Sequence, residues 1–188
     1  MDTVAPTGAR ARTRRAILDA AVSVLSKNPA ASLADIAVAA GVGRTTIHRY
    51  FPERTDLLTA IGVYLLERIE TATVRARLEE GAADAALERV CQEYFELGDV
   101  LQFAFENPQM QEWTDWETET EADKALERLI RRGHAEGTID PALPPSWVAE
   151  TMWALLYAAW QHTRTRQEPK HSALNLCLHT LRKTIRTG

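Results

Sequence analysis

The chain has 188 residues, a formal net charge of −4 and only two cysteines. Its length is sufficient to bury a core in one or two domains. Cys91 and Cys177 lie far apart and have no partners at metal-ligand spacing, which argues against a disulfide framework and fits a reduced cytoplasm. No apolar run approaches the ~18 residues of a membrane span, and Met1–Ala11 lacks the apolar stretch of a secretory signal. The composition therefore predicts a cytoplasmic protein that has no membrane partner.

Charge is distributed unevenly along the chain. Residues 1–54 contain eight Lys/Arg against four Asp/Glu, a net charge of +4, whereas the remaining residues contain 14 against 22, a net charge of −8. We call residues 1–54 the basic head and the remaining residues the acidic body. This division of charge indicates that only the basic head contacts a polyanion such as nucleic acid.

Helical periodicity covers most of the chain and strand signals are scarce, so an all-α protein of about nine helices is predicted. The breaks fall at Asn28-Pro29, Gly41, Pro52, Gly81, Asn107-Pro108, 137–145 and Pro169. The helices are predicted at 14–26, 32–40, 44–51, 53–79, 82–106, within the segment from the Pro108 break to Glu136, at 146–166 and at 172–186.

The second and third predicted helices carry the first functional signal. Ser32 stands three residues before Asp35, the spacing of a capping box, and Gly41 is suited to the left-handed residue that ends a helix. On a helical wheel of the third helix, apolar side chains share one face, and the opposite face carries Arg44, Thr45, His48 and Arg49. Two short helices joined by a glycine turn, the second with a basic outer face, predict a helix-turn-helix whose second helix enters the major groove.

The alternative interpretation of this stretch is a solvated amphipathic helix with a few surface arginines. Three further features favour DNA binding: the capped preceding helix, the spacing of the small Ala37 from the turn at Gly41, and the local positive charge.

The segment "SLADIAVAAGVGRTTIHRYFPERTDLL" resembles the DNA-binding signature of the tetracycline-repressor (TetR) family over about residues 13–60. The family's members are dimeric transcription regulators, mostly repressors, whose C-terminal domain binds a small molecule that releases the protein from DNA. The resemblance implies a three-helix DNA-binding domain with a basic N-terminal arm at 1–54. It also implies a larger helical domain at 55–188 for ligand binding and dimerisation, and operator DNA and a small-molecule effector as partners.

The resemblance also implies contacts for single residues. The positions that match the family's contacts to base edges are Arg44, Thr45 and Arg49. Those that match its phosphate contacts are Thr46, His48, Tyr50 and Arg54, and Ser32 lies at the helix terminus that approaches the DNA backbone. The chemistry agrees, since Arg pairs with guanine O6 and N7, and hydroxyls and helix N-termini suit phosphates.

Two positions depart from the family pattern. Gly43 replaces the usual Ser at the start of the recognition helix, which weakens the cap by only a few tenths of a kcal/mol. His48 replaces the usual Tyr; it either donates a hydrogen bond to phosphate or merely tolerates the site. Four arginines precede the first helix or begin it. Arg14 and Arg15 are expected to contact DNA, whereas a solvated tail is the favoured interpretation for Arg10 and Arg12.

The body of the chain is rich in aromatic residues between 94 and 160. One interpretation is an aromatic core; the other is an apolar cavity with a few polar groups that binds a small apolar, aromatic or cationic molecule. The residues predicted to line such a cavity are Tyr94, Phe103, Trp113, Trp116, Trp153 and Tyr157.

The last two helices predict a dimer interface. The helix at 146–166 is apolar on two sides, and the final helix carries Leu174, Leu178, Leu181 and Ile185 on one stripe. We therefore expect residues 146–186 to form a four-helix interface between two copies, the alternative being burial within one monomer.

No catalytic, metal-binding or cofactor-binding pattern is found. The five histidines show no HExxH motif, and there is no Gly-rich phosphate loop and no GxSxG nucleophile motif. We therefore predict a regulator that is not an enzyme and needs no cofactor. Two alternative hypotheses stand beside that of a repressor released by a ligand. One is a DNA-binding regulator without an effector, and the other is a helical ligand-binding protein whose basic head does not bind DNA.

Overall fold

The structure is a computed structural model that describes residues 8–107 and 119–186. Within these ranges it contains nine helices and no strand. The helices are α1 (Ala9–Leu25), α2 (Leu33–Ala39), α3 (Arg44–Tyr50), α4 (Arg54–Arg75), α5 (Ala83–Phe95), α6 (Gly98–Glu106), α7 (Glu121–Glu136), α8 (Pro145–Arg166) and α9 (Lys170–Ile185). The predicted all-α class is therefore confirmed.

The helix boundaries differ most from the prediction at three places. The first helix begins at Ala9, so Arg10 and Arg12 belong to a helix and not to a tail, because Ala and Arg are both strong helix formers. The fourth helix ends at Arg75, where Arg77 takes a left-handed φ of 48°. The helix predicted over 82–106 is divided into α5 and α6 by the two residues 96–97.

The chain packs as two compact units. One comprises residues 8–65 and 99–107, and the other comprises residues 66–98 and 119–186. The sequence analysis predicted a domain boundary after residue 54, between a DNA-binding domain and a ligand-binding and dimerisation domain. This functional division stays a prediction.

In the first unit, a small apolar core fixes α1, α2 and α3. Its fully buried side chains include Ile17 and Leu18 of α1, Ile36 of α2 and Ile47 of α3. The hydroxyl of Tyr64 donates a hydrogen bond to Asp19 at 2.6 Å and so ties α4 to α1.

In the second unit, α8 and α9 form an extensively packed pair, and α5 packs against α7, α8 and α9. The buried side chains that join them include Leu87, Ile130, Met152, Leu156 and Leu181. Thr120 and Asp123 form a capping box that starts α7, and Gly137 ends it with a left-handed φ of 72°. No described helix is both long and apolar enough to cross a membrane.

The apolar stripe of α9 is not available to a partner subunit. Leu178, Leu181 and Ile185 are buried within the chain itself, and Leu174 is half-buried. The prediction that this stripe forms the dimer interface is therefore wrong, because α5 and α8 already cover it. A periodic stripe predicts that a face is buried, but it does not say against what.

Candidate DNA-binding interface and effector site

The helix-turn-helix begins with a capped α2. The Ser32 hydroxyl accepts a hydrogen bond from the Asp35 backbone N–H at 3.2 Å, and the Ser32 backbone N–H donates to the Asp35 carboxylate at 2.8 Å. Hydrogen bonds from the Ser32 hydroxyl and then from its backbone N–H hold the pKa of the exposed Asp35 below its ordinary value, and the positive charge of Arg44 adds to this effect. This reciprocal pair is the predicted capping box.

The turn between α2 and α3 brings the two helices close together. Gly41 has a φ of 66°, a conformation that glycine adopts without strain, and the backbone N–H of Val42 donates to the carbonyl of Ala37 at 2.9 Å. Ala37 is buried, so no larger side chain separates α2 from its neighbours. The geometry matches the predicted spacing of Ala37 and Gly41.

The two faces of α3 differ as the helical wheel predicts. Ile47 and the following Phe51 are buried. The exposed side chains are those of Arg44, Thr45, His48 and Arg49, while Thr46 and Tyr50 are half-buried. The helix thus offers two guanidinium groups, a hydroxyl and an imidazole to a binding partner, and these groups hydrogen-bond readily to base edges and phosphates.

Aromatic rings hold the arginines of α1 and α3. The guanidinium groups of Arg10 and Arg49 lie 5.9 Å and 5.8 Å from the ring centre of Tyr50, whose hydroxyl donates to the carbonyl of Arg10 at 3.3 Å. Arg14 lies 5.8 Å from the ring centre of Phe51. The N-terminus of α1 therefore adjoins α3, and the structure brings Arg14 together with the other predicted DNA contacts.

The imidazole of His48 is partly engaged. Its Nδ1 lies 3.3 Å from the carbonyl oxygen of Pro52, a distance at which an Nδ1–H donates a hydrogen bond. In that tautomer Nε2 carries no proton, so it can donate to a phosphate only in the doubly protonated imidazolium form.

Arg54 makes hydrogen bonds within the protein that the sequence analysis did not predict. Its guanidinium donates hydrogen bonds to the carbonyl oxygens of Pro29 and Ala31, which directly precede the cap of α2. The partners are 25 and 23 residues away, so no local pattern could have indicated them. Arg54 thus ties the start of α4 to the N-terminus of α2, and its predicted phosphate contact would use the remaining N–H groups.

We expect Arg54→Lys to be nearly as destabilising as Arg54→Ala, with a loss of roughly 1–3 kcal/mol in the free energy of unfolding, because a lysine ammonium cannot reproduce the planar fork of donors. Denaturant unfolding measures this loss, and Arg12→Lys makes the same exchange at an exposed helical position as the control. If Arg54→Lys unfolds at the wild-type midpoint, the tie to the carbonyls is wrong. The phosphate contact has a separate test: Arg54→Ala should lower the salt slope of operator binding by about 0.9, whereas Arg54→Lys should keep it.

Two of the predicted effector-site residues are stacked in the second unit. The rings of Tyr94 and Trp153 lie 4.7 Å apart, centre to centre, and are nearly parallel at 9°. The Tyr94 hydroxyl is 2.7 Å from the hydroxyl of the buried Thr73. Burial raises the pKa of Tyr94 to about 12, partly offset by the hydrogen bond with Thr73, so the phenol stays neutral at physiological pH.

The other predicted effector-site residues are placed differently. Tyr157 is half-buried, and its hydroxyl accepts a hydrogen bond from the amide of Gln161 at 2.9 Å. Phe103 is buried and belongs to the first unit, whereas Tyr94, Trp153 and Tyr157 belong to the second. Trp113 and Trp116 lie outside the described residues, so their part in a ligand site stays a prediction. Thr73 and Gln161 were missed because no periodic or motif signal distinguishes them.

The outer face of α8 and α9 carries a shallow groove, which we name the α8–α9 groove. It has a volume of about 180 Å³ and is lined by Leu155, Ala158, Ala159, His162, Ala173, Leu176, Cys177 and Thr180. Leu176 is 56% exposed although it is a large apolar residue. Neither Tyr94 nor Trp153, the stacked pair, is among the described residues that line this groove.

The fold and the site together define a helix-turn-helix DNA-binding protein with a second, all-helical unit. The family model described as "Bacterial regulatory proteins, tetR family" matches residues 17–61. Over 180 residues the chain is 39% identical to the HTH-type transcriptional repressor LfrR of Mycolicibacterium smegmatis, a match that covers 96% of this chain and 94% of that protein. The chain belongs to the TetR family of transcriptional regulators.

Solved structures agree with this assignment. The crystal structure of the TetR-like regulator LfrR from Mycobacterium smegmatis in complex with proflavine matches with a TM-score of 0.73 at 36% identity, over 96% of this chain and 100% of that one. FadR from Bacillus subtilis in complex with stearoyl-CoA shares the fold, with a TM-score of 0.68 at 21% identity, over 92% of this chain and 99% of that one. TetR regulators bind operator DNA, generally as dimers, and small-molecule effectors. The chain is accordingly a transcriptional regulator and not an enzyme.

Proposed function

We propose that the chain binds a two-fold symmetric operator as a dimer through α3 and is released by a planar aromatic cation. The observation that carries the DNA-binding part is the division of α3 into a buried apolar face and an exposed face with Arg44, Thr45, His48 and Arg49. Since its target is chromosomal DNA, the protein acts in the cytoplasm.

The proposed contacts follow from exposure and chemistry. The side chains of Arg44, Thr45 and Arg49 read base edges, and those of Thr46, His48 and Tyr50 contact phosphates. Ser32, Arg14 and Arg54 flank α3 and contact the DNA backbone. Tyr50 is held in place beside the phosphate path, since its ring packs beside two guanidinium groups. Its hydroxyl donates to the carbonyl of Arg10, and a phosphate contact would redirect that proton.

For dimerisation we propose the α8–α9 groove and its rim, within residues 146–186. Leu176 projects beside alanines 158 and 159, so a leucine from each copy can enter the small-residue groove of the other across a two-fold axis. Such a self-complementary contact leaves the buried stripe of α9 in the core of its own chain.

For the effector, LfrR supplies the chemical class, because its structure was solved with proflavine bound. The stack of Tyr94 on Trp153 supports the same class here, since two parallel flat rings offer their π-faces to a planar cation once they separate. The 4.7 Å between ring centres leaves no room for a third ring. Trp153 is half-buried whereas Tyr94 is 1% exposed, so Trp153 is the ring nearer to solvent and the one that moves when a ligand enters.

One observation favours a second candidate function, a regulator without a small-molecule effector. The closed stack of Tyr94 on Trp153 is a well-packed aromatic core as it stands. A titration with proflavine separates the two candidates when Trp153→Ala is titrated beside the wild type. A loss of operator affinity caused by proflavine binding to the DNA is the same for both proteins, whereas an effector-released repressor loses affinity at lower proflavine concentrations than Trp153→Ala does.

The experiment that tests the DNA interface is a gel shift against the DNA that flanks the protein's own gene. We expect Arg44→Ala to lose roughly 1–3 kcal/mol of operator affinity and to relax specificity at one base position, because an exposed guanidinium at the start of α3 pairs with a base edge. Arg131→Ala, which removes an exposed arginine of α7, is the matched control. Equal sequence preference in the wild type and in Arg44→Ala would show that Arg44 does not read a base.

A further inference from the structure

The only two cysteines of the chain meet in the core of the second unit. Cys91 of α5 and Cys177 of α9 are 86 residues apart in sequence, yet their Sγ atoms lie 3.6 Å from each other. Both are free thiols, and they are 0% and 3% exposed. The sequence analysis saw no pairing, because nothing local indicates that α5 and α9 are neighbours.

A second contact holds the two helices at this place. The guanidinium of Arg182 binds both carboxylate oxygens of Glu88, with Nη2 and Oε2 at 2.6 Å. Glu88 is one turn before Cys91, and Arg182 lies just beyond Cys177, so the ion pair fixes the separation of α5 and α9 beside the thiols. A disulfide bond of about 2.05 Å requires the sulfur atoms to approach by only about 1.5 Å.

The two thiols are chemically unequal. Cys177 lines the α8–α9 groove, whereas Cys91 lies behind it. The hydrogen bond from Cys91 lowers the pKa of Cys177, while the same hydrogen bond and burial raise the pKa of Cys91. Cys177 is thus the thiol with more thiolate character. It is also the one that a peroxide can reach through the α8–α9 groove, which is open in a single subunit and covered in the proposed dimer, and Cys91 is suited to resolve it.

We propose that Cys91 and Cys177 are a reversible oxidation site, at which a small hydroperoxide converts the two thiols into a disulfide that joins α5 to α9. The Cys177 thiolate attacks the peroxide and takes up one oxygen as sulfenic acid, and the peroxide's other oxygen leaves as an alcohol or, from hydrogen peroxide, as water. The Cys91 thiol then displaces water from this sulfenic acid, forming the sulfur–sulfur bond. Overall, two thiols and one hydroperoxide yield a disulfide, an alcohol and water, and a dithiol reductant reverses the change.

The disulfide has a consequence for the effector, and this part rests on the proposed function. Tyr94 follows Cys91 by one helical turn and stacks on Trp153. A covalent tie to α9 restrains the movement of α5, so the aromatic pair opens less readily. We expect the oxidised protein to bind proflavine about fivefold more weakly than the reduced protein, within the usual range of coupling between sites.

Mass spectrometry of the native protein after hydrogen peroxide treatment tests the site. The expected result is the loss of two hydrogen atoms, a Cys91–Cys177 peptide under non-reducing conditions, and a thermal midpoint that rises by several degrees and falls back with dithiothreitol. In Cys91→Ser the sulfenic acid of Cys177 should accumulate and react with dimedone, whereas Cys177→Ser should show neither product. A disulfide that forms only after denaturation, or one that links two chains, would overturn the proposal.

Two further measurements separate the parts of this proposal. Leu176→Glu, which by the proposed interface gives a monomer with an open groove, should be oxidised faster than the wild-type dimer; equal or slower oxidation contradicts entry of the peroxide through the groove. If the disulfide forms but proflavine binds the oxidised and reduced proteins equally, the coupling to Tyr94 is wrong. If the reduced protein does not bind proflavine at all, the proposed effector fails while the oxidation site stands.

Discussion

Replacing Leu176 by glutamate is expected to convert the proposed dimer into a folded monomer and to lower operator affinity by at least about 100-fold, or ~2.7 kcal/mol. The side chain is 56% exposed, so the chain itself loses little on substitution. In the proposed interface the same change places two carboxylates in an apolar groove near the two-fold axis, where they have no partners. The monomer then binds only one half-site of the operator, through its single helix-turn-helix.

Sedimentation at micromolar concentration and a gel shift measure the two effects, and circular dichroism confirms that the helices persist. Val74→Glu is the matched control, because Val74 is a 73% exposed apolar residue elsewhere in the second unit. Leu181→Glu should behave differently from both: Leu181 is fully buried in its own chain, so the variant should unfold. A Leu176→Glu protein that dimerises as tightly as the wild type would place the interface elsewhere.

Trp153→Ala is expected to weaken proflavine binding by about 10- to 100-fold while leaving operator affinity in the absence of ligand unchanged. The stacked ring supplies both aromatic contact and attraction for a cation, each of which contributes roughly 0.5–2 kcal/mol. Trp147→Ala is the matched control, since Trp147 lies on the same helix and is 55% exposed. Anisotropy of proflavine fluorescence reports binding directly, without dependence on the other tryptophans.

The same titration, repeated with operator DNA present and corrected by a titration of proflavine into the DNA alone, tests the coupling between the two ligands. If proflavine lowers DNA affinity 100-fold, the operator must lower proflavine affinity by the same factor, because the coupling free energy of ~2.7 kcal/mol is shared. Equal losses of proflavine binding in Trp153→Ala and Trp147→Ala would show that the stacked pair is not the effector site.

The helix-turn-helix could be predicted from sequence because its signals are local. Ser32 and Asp35 are three residues apart, and the turn at Gly41 depends on one backbone conformation. Both can be recognised without knowledge of the rest of the chain. The opposite faces of α3 follow from helical periodicity alone.

The pairings between residues that are distant in sequence could not be predicted. Arg54 donates to carbonyl oxygens more than 20 residues away, the hydroxyl of Tyr94 in α5 contacts that of Thr73 in α4, and Cys91 in α5 contacts Cys177 in α9. Each depends on which helices become neighbours, and periodicity does not determine this. The predicted dimer stripe was wrong for the same reason: its burial was correctly inferred, but its partner proved to be the chain itself.

Arg89 of α5 closes the end of α4. Its Nε donates to the carbonyl of Ala76 at 2.9 Å, and its Nη2 donates to the carbonyls of Arg77, at 2.9 Å, and Glu80. A protease must draw its substrate into an extended strand to cut it, and three carbonyls bound by one guanidinium resist that extension. Trypsin should therefore cut slowly after Arg75 and Arg77, although both side chains are exposed, and replacing Arg89 should open this loop to digestion.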